Sequence, residues 1–414
     1  MSPSGSRQHM LGISLVLLIV VMFHEAAARD LRNVTEPKIP SSCVSLKGNG
    51  GEVTAVIQNA LDSCAKGKVV HLASGTFVSG PLTISSDVGL WIDSGVVLQA
   101  STNATLYDAR GNICGTISKL YNGCKPFIHI YNVSNSGIYG KGTIDGQGGS
   151  KILGKNQTWR DLGPEAKPKN EYQNTFTLVM IEKSREIILY KIKIINAPSY
   201  HVIVGQTNGF TAWGLTLITP ESTYNTDGID PGSSQNITIM DTSISCGDDN
   251  IAIKASEGPS RHISVTNCRF GPGHGMSIGS DINYGVSDLT VTNLVKYNSI
   301  TGLRIKSDRS RGGLVTNIVY SDVCMYNITN PIWLSADYSG TAAAGNFIPD
   351  YNGITFNNVN VLTAGKFTLD GFSDEKPLQA TLHNVNIVKG STFEFKHAKI
   401  SGYYTEHASG SLHC

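Results

Sequence analysis

Four short segments between Asn225 and Lys306 carry most of the side chains in this 414-residue chain that could do chemistry together. They read Asn225-Thr226-Asp227-Gly228, Gly247-Asp248-Asp249, Gly273-His274-Gly275 and Arg304-Ile305-Lys306. Asp227, Asp248, His274 and Arg304 follow one another at intervals of 21, 26 and 30 residues. Stacked on one face, they would make a column of three carboxylates, an imidazole and two fixed cations. Crowded carboxylates cannot all ionise freely, so one is expected to keep a proton near neutral pH. Glycoside hydrolysis uses such a split, with an acid for the leaving oxygen and a base for water. The cations would suit an anionic sugar polymer.

Each segment also has a purely structural reading. Asn and Asp form turns at coil corners and stack into hydrogen-bond ladders. A histidine between glycines is commonly a turn residue, and Arg-x-Lys on a strand is commonly a solvated face. Together the four segments favour chemistry. A ladder requires neither adjacent carboxylates nor a cation pair two coils away. A Ca²⁺ site of Asp227, Asp230, Asp248 and Asp249 is an alternative. Arg304 and Lys306 weigh against it, and no metal or other cofactor is expected.

The elements that must position these residues are short strands. From about Lys68 onward, β-branched triplets alternate with Asn, Gly, Ser and Asp. Triplets begin at Ile187, Ile237, Ile263, Leu289, Ile318 and Ile354, with Phe210 to Leu217 bridging the one double gap. A repeat of that size marks a solenoid. No helical pattern lies between the triplets, which excludes an α/β crossover fold. The expectation is an all-β, single-stranded right-handed parallel β-helix, its coils stacked at about 4.8 Å. Period-two geometry would put Asn225 and Asp227 on one side of a strand, and Arg304 and Lys306 likewise with Ile305 inward. Thr54 to Cys64 has apolar residues at helical spacing (Val56, Ile57, Ala60, Leu61, Cys64) and is expected to cap the N-terminal end. Lys151 to Asn174 reads as a loop insertion near one rim of the groove.

Residues 1–28 have the layout of a secretory signal peptide. Arg7 and His9 precede a greasy run from Met10 to Phe23, and Ala26-Ala27-Ala28 supplies small residues before a cut. The run is shorter than the roughly 20 residues of a spanning helix. A secreted mature domain of residues 29–414 is expected, with no membrane association after processing. The formal net charge of +1 does not suggest a nucleic-acid partner. Any polyanion would need a local cationic patch. A monomer is expected. The eight cysteines suggest disulfides, with Cys43–Cys64, Cys114–Cys124 and, because 22 residues approximates one coil, Cys246–Cys268 as the simplest pairs.

At its four segments the chain resembles the polygalacturonases, glycoside hydrolase family 28, and is most similar to bacterial-type enzymes that cut homogalacturonan. The resemblance rests on Asn225-Thr-Asp-Gly-Ile-Asp230, Gly247-Asp-Asp-Asn-Ile-Ala-Ile-Lys254, Gly273-His-Gly-Met-Ser-Ile-Gly-Ser280 and Gly302-Leu-Arg-Ile-Lys-Ser307, with the glycine-rich stretch Ile138 to Gly148 before them. It implies inverting hydrolysis of α-1,4-galacturonosyl linkages in pectate. Asp248 would be the general acid, and Asp227 and Asp249 would hold and deprotonate the water. His274 would tune the acid. Arg304 and Lys306 would clamp the substrate carboxylate, Asn225 would orient substrate, and Tyr338 would be a site tyrosine. Endo action is the first expectation. Exo action or a rhamnogalacturonan-type substrate is the alternative, with the segments Lys151–Asn174 and Asp337–Asn352 deciding the groove ends. A pectate lyase or an inactive pectin-binding homologue is a more distant reading.

Overall fold

A computed structural model describes residues 29–121, 123–340 and 345–414. The expected signal peptide, residues 1–28, lies outside the described residues. Among the described residues no helix is long and apolar enough to cross a membrane.

The short β-branched runs pair in parallel, each coil lying on the one before. They form one continuous 28-stranded sheet system, a right-handed parallel β-helix as expected. The triplets superimpose first residue on first residue. Ile187 stacks on Phe210, Phe210 on Ile237, Ile237 on Ile263, Ile263 on Leu289, Leu289 on Ile318 and Ile318 on Ile354. All seven are fully buried, so this column is the spine of the core. Its physical cause is the period of two. A one-residue slip would turn every one of these side chains outward.

Corners are set by left-handed residues. The position just before each triplet has positive φ at Glu186, Gly209, Asn236, His262, Asp288, Asn317 and Gly353. A second corner repeats this at Asp241, Asn267, Asn293, Asp322, Asn358 and Asn384. Asn, Asp and Gly reach that conformation at least cost. The amides also pair from coil to coil, Asn293 to Asn267 at 2.9 Å and Asn384 to Asn358 at 3.0 Å.

The N-terminal helix forms at Thr54–Ser63, but its buried stripe is narrower than expected. Ile57 and Leu61 are buried, whereas Val56 is exposed on the outer side of the cap. Ahead of it the extended segment Asp30 to Glu36 lies back over the coils as a strap. Asp30 meets Ser264 (3.0 Å) and Thr238 (2.8 Å), Arg32 meets Thr211 (3.3 Å) and Glu186 (2.8 Å), and Glu36 meets Tyr190 (2.7 Å). Ser264, Thr238 and Thr211 are stacked neighbours, so the strap crosses successive coils.

Two expectations need correction. Lys151–Asn174 is not a plain loop and does contain a helix, Leu162–Lys169. Its strand Tyr172–Gln173 pairs antiparallel with Ile117–Ser118. With only eight residues, two prolines and mixed charges, the helix leaves little periodicity to read. Cys246 and Cys268 are free and buried. The coil there is 26 residues long, with Ser243 opposite Arg269, so Cys268 lies about four residues ahead of the position stacked on Cys246. That is roughly 13 Å of extended chain. The pairs Cys43–Cys64 and Cys114–Cys124 do form, and Cys324 joins Cys414.

Candidate active site

The site is built from three loops and one strand. Ile229 stacks on Ile251, and Ile251 on Met276. Asp227, Asp249 and His274 each stand two residues ahead of those stacked positions, which puts them in one column. They precede their strands and do not lie on them, and Asn225 sits in a left-handed turn (φ 52°). The expected strand alternation of Asn225 and Asp227 therefore does not apply. It does apply to Arg304 and Lys306. Arg304 stacks on Ser277 and Trp333, Lys306 on Gly279 and Ser335, and Ile305 between them is buried.

Backbone bonds fix the loops to one another. Gly228 N donates to Asp249 O (2.9 Å), His274 N to Asp248 O (2.8 Å) and Asn250 N to Gly275 O (3.1 Å). Close approach demands glycine at Gly247, where an added Cβ would meet Thr223 O at 2.0 Å, and at Gly275 (φ 97°), where it would meet Gly302 O at 2.2 Å. Beneath them the fully buried Asn250 ties two loops together. Its amide donates to Pro272 O (3.0 Å) and accepts from Gly275 N (3.2 Å) and Lys296 Nζ (2.8 Å). Lys296 is itself fully buried, and burial pulls its ammonium down to about 7.

The three acids have different partners. Asp249, 1 % exposed, accepts from Ser277 Oγ (2.7 Å) and pairs with Arg304 (3.0 Å) and Lys306 (2.7 Å). Asp248 Oδ1 accepts from Asp249 N (2.9 Å) and meets His274 Nδ1 at 2.9 Å. Burial pulls the Asp248 carboxyl upward, but the His274 hydrogen bond and charge and Lys306 outweigh it and hold it below the usual carboxylate range. Asp227 is the reverse case. Burial, then the charges of Asp230 and Asp248, push its carboxyl well above that range. Asp230, behind it, is lifted to about 6 by burial even though Lys254 pairs with it at 2.6 Å.

These residues border a cleft of about 980 Å³. Asn225, Asp248, His274, Arg304 and Tyr338 line it, with Asp227, Asp249 and Lys306 buried just behind. Tyr338 lies over three cations, with Lys306, Arg304 and Arg311 at 5.2, 5.4 and 5.9 Å from its ring centre. All eight expected site residues are thus brought together. Arg304 and Lys306 each also pair with Asp249, a contact the spacing does not reveal. Ser277, Asn250, Lys254 and Lys296 were missed. The first three lie inside the motifs quoted above, but their partners are a coil or more away in sequence.

Asp248, Asp249 and His274 offer ligand atoms within 4.8 Å of one another. The donor set fits a divalent cation poorly, because Arg304 and Lys306 already neutralise Asp249, and Lys254 does so for Asp230. Arranged this way, the site can move protons at a buried acid pair beside a carboxylate–imidazole pair.

The sequence profile of the glycosyl hydrolases of family 28 matches residues 64–409. An endo-polygalacturonase of Pectobacterium carotovorum subsp. carotovorum is 44 % identical, covering 94 % of this chain and 97 % of that protein. A polygalacturonase of Ralstonia solanacearum is 34 % identical over 85 % of this chain and 79 % of its own length. The solved polygalacturonase from Erwinia carotovora ssp. carotovora superimposes with a TM-score of 0.87 at 44 % identity, covering 90 % of this chain and all of that one. The chain belongs to the glycosyl hydrolases of family 28.

Proposed function

We propose that this family 28 member is an endo-acting polygalacturonase, a glycoside hydrolase that cleaves α-1,4-galacturonosyl linkages inside polygalacturonate. The observation that carries the reading is the common register of Asp227, Asp249 and His274, with Asp248 opening from beside them into the cleft. In the proposed reaction Asp248 delivers a proton to the glycosidic oxygen as the bond to the sugar carbon breaks. Water adds its hydroxyl to that carbon and gives its proton to the Asp227–Asp249 pair.

Asp248 is drawn low by His274, so the acid is better described as the Asp248–His274 pair. A proton on the imidazole Nδ1, 2.9 Å away, passes first to the carboxylate, and the carboxyl so formed then gives it up to the leaving oxygen. Asp227, whose raised carboxyl holds a proton more firmly, keeps the cluster's charge low until substrate arrives. Arg304 and Lys306 pair with Asp249 and share their remaining donors with a substrate carboxylate, and Asn225 and Tyr338 orient the sugar. Oxygens of Asp248 and Asp249 lie closer than the roughly 6.5–9.5 Å of most inverting pairs. Inversion therefore rests on the family resemblance, and the anomer first released, read by NMR, tests it. The mature enzyme is proposed to comprise residues 29–414, exported after removal of residues 1–28.

The direct test is to incubate the protein with polygalacturonate and follow reducing ends and viscosity together. New reducing ends with an early, steep fall in viscosity are expected. No release between about pH 4 and 8, the span from carboxylate to histidine titration, sinks the proposal.

A further inference from the structure

The cleft extends well beyond the acids. Along another of its walls Tyr121, Gly123 and Cys124 meet the inserted helix in a rim that the mechanism above does not use. Three of its tyrosines are open to solvent: Tyr121 (53 % exposed), Tyr172 (50 %) and Tyr224 (39 %). The rim is a built structure. The Cys114–Cys124 disulfide closes the segment that carries Tyr121. Lys119 Nζ donates to the helix-end carbonyls of Lys169 and Asn170, each at 3.0 Å. Gly163 lets the helix press against Tyr224, where an added Cβ would come within 2.9 Å of that side chain.

One charge on this rim stands apart. The helix acid Glu165 is taken by Lys169 at 2.8 Å, and Glu171 lies 3.9 Å from Lys119. Lys167, exposed and lining the cleft, has no carboxylate within 4.0 Å among the described residues. Its ammonium sits 5.0 Å from the ring centre of Tyr224. Arg304, the other Lys or Arg lining the cleft, is neutralised by Asp249. A polyanion lying along this cleft therefore meets its uncompensated lysine at the insertion and not beside the acids.

We propose that Lys167 and Tyr224, framed by Tyr121 and Tyr172, form a subsite for a galacturonate unit remote from the bond that is cut. The ammonium takes the unit's carboxylate and the aromatic rings take its apolar sugar face. The proposal rests on the hydrolase reading and deepens it. The subsite reads chain length and free carboxylates, and does not take part in bond cleavage. Glu221, which also lines the cleft, works against it.

The test compares wild type with Lys167→Met, Lys167→Arg and Tyr224→Ala on oligogalacturonates of increasing length. Lys167→Met is expected to raise KM for the longest oligomers about fivefold to twentyfold, the loss of one charge-assisted contact. Turnover at saturation and the kinetics of the shortest cleaved oligomer stay as in wild type, and Lys167→Arg restores KM. Tyr224→Ala follows the same length dependence. The KM penalty of Lys167→Met shrinks on heavily methyl-esterified chains. Equal effects at every length, or no effect at any, overturn the subsite while an active wild type keeps the hydrolase reading. A wild type inactive on polygalacturonate overturns both.

Discussion

Two sets of asparagines and aspartates repeat at coil spacing in this molecule, and they do opposite things. At the corners, Asn267, Asn293, Asn358 and Asn384 adopt left-handed backbone and bond one amide to the next in pairs. In the site, Asp227, Asp249 and Asn250 are buried, and the bonded pair among them, Asp249 and Asn250, reaches serine, lysine and arginine side chains. Residue type and period are shared. What separates the two sets is burial and the chemical identity of the partner. An amide ladder is neutral and self-satisfying, whereas a buried acid demands a cation, a proton or an imidazole. Periodic Asn and Asp in a solenoid thus indicate position, and the partners indicate purpose.

The contrast is open to breakage by substitution. The largest effect is expected from Asp248→Asn, which should lower turnover on polygalacturonate by about a thousandfold or more while leaving the melting temperature near wild type. Turnover within tenfold of wild type would show that the acid lies elsewhere. Next comes Asn250→Ala. It touches nothing in the cleft but unties the loops of Asp248 and His274, and a loss of order 1 Å in placement costs roughly a hundredfold. A fall in turnover with little change in KM is expected. A change in stability alone would reduce Asn250 to another corner residue.

The third test uses pH. The folded carboxyls of Asp227 and Asp230 lie above their unfolded values, Asp230 at about 6. Between about pH 4 and those raised values the folded protein binds more protons than the unfolded chain, so their contribution to stability falls as pH rises. Asp227→Asn removes part of that loss. Its melting temperature should exceed wild type by about 2–4 °C at pH 7 and by less at pH 4, with turnover largely gone. A constant difference at both pH values would mean that Asp227 ionises normally. The smallest effect belongs to Asn293→Ala, where loss of one exposed amide pair should cost roughly 1 kcal/mol and leave kcat and KM unchanged.

Much of this organisation is legible in the sequence. The stacked column from Ile187 to Ile354 follows from alternation, because burial on one face fixes register. The site residues were legible because four motifs in coil register leave few other arrangements. The misses share one cause: they depend on local coil length or on contacts between coils. Cys246 and Cys268 were paired from an average period, and a difference of four residues defeats that estimate. The cationic partners of Asp249 come from a strand more than fifty residues later, and no spacing rule says that cations placed near an acid will turn to it. Period-two geometry puts Asn225 and Asp227 on one side of a strand, yet the left-handed turn at Asn225 interrupts that pattern.

The strap from Asp30 to Glu36 has a mechanical consequence. A stack of rungs ordinarily unravels from its tips, because a terminal rung has a neighbour on one side only. Here the segment 30–36 is stitched to the middle of the rod through Ser264, Thr238 and Thr211. Peeling the first rungs away then requires that seam to be released as well, so this tip borrows the strength of the interior. Cutting the seam with Asp30→Ala should split a single calorimetric transition into an early shoulder and a main peak.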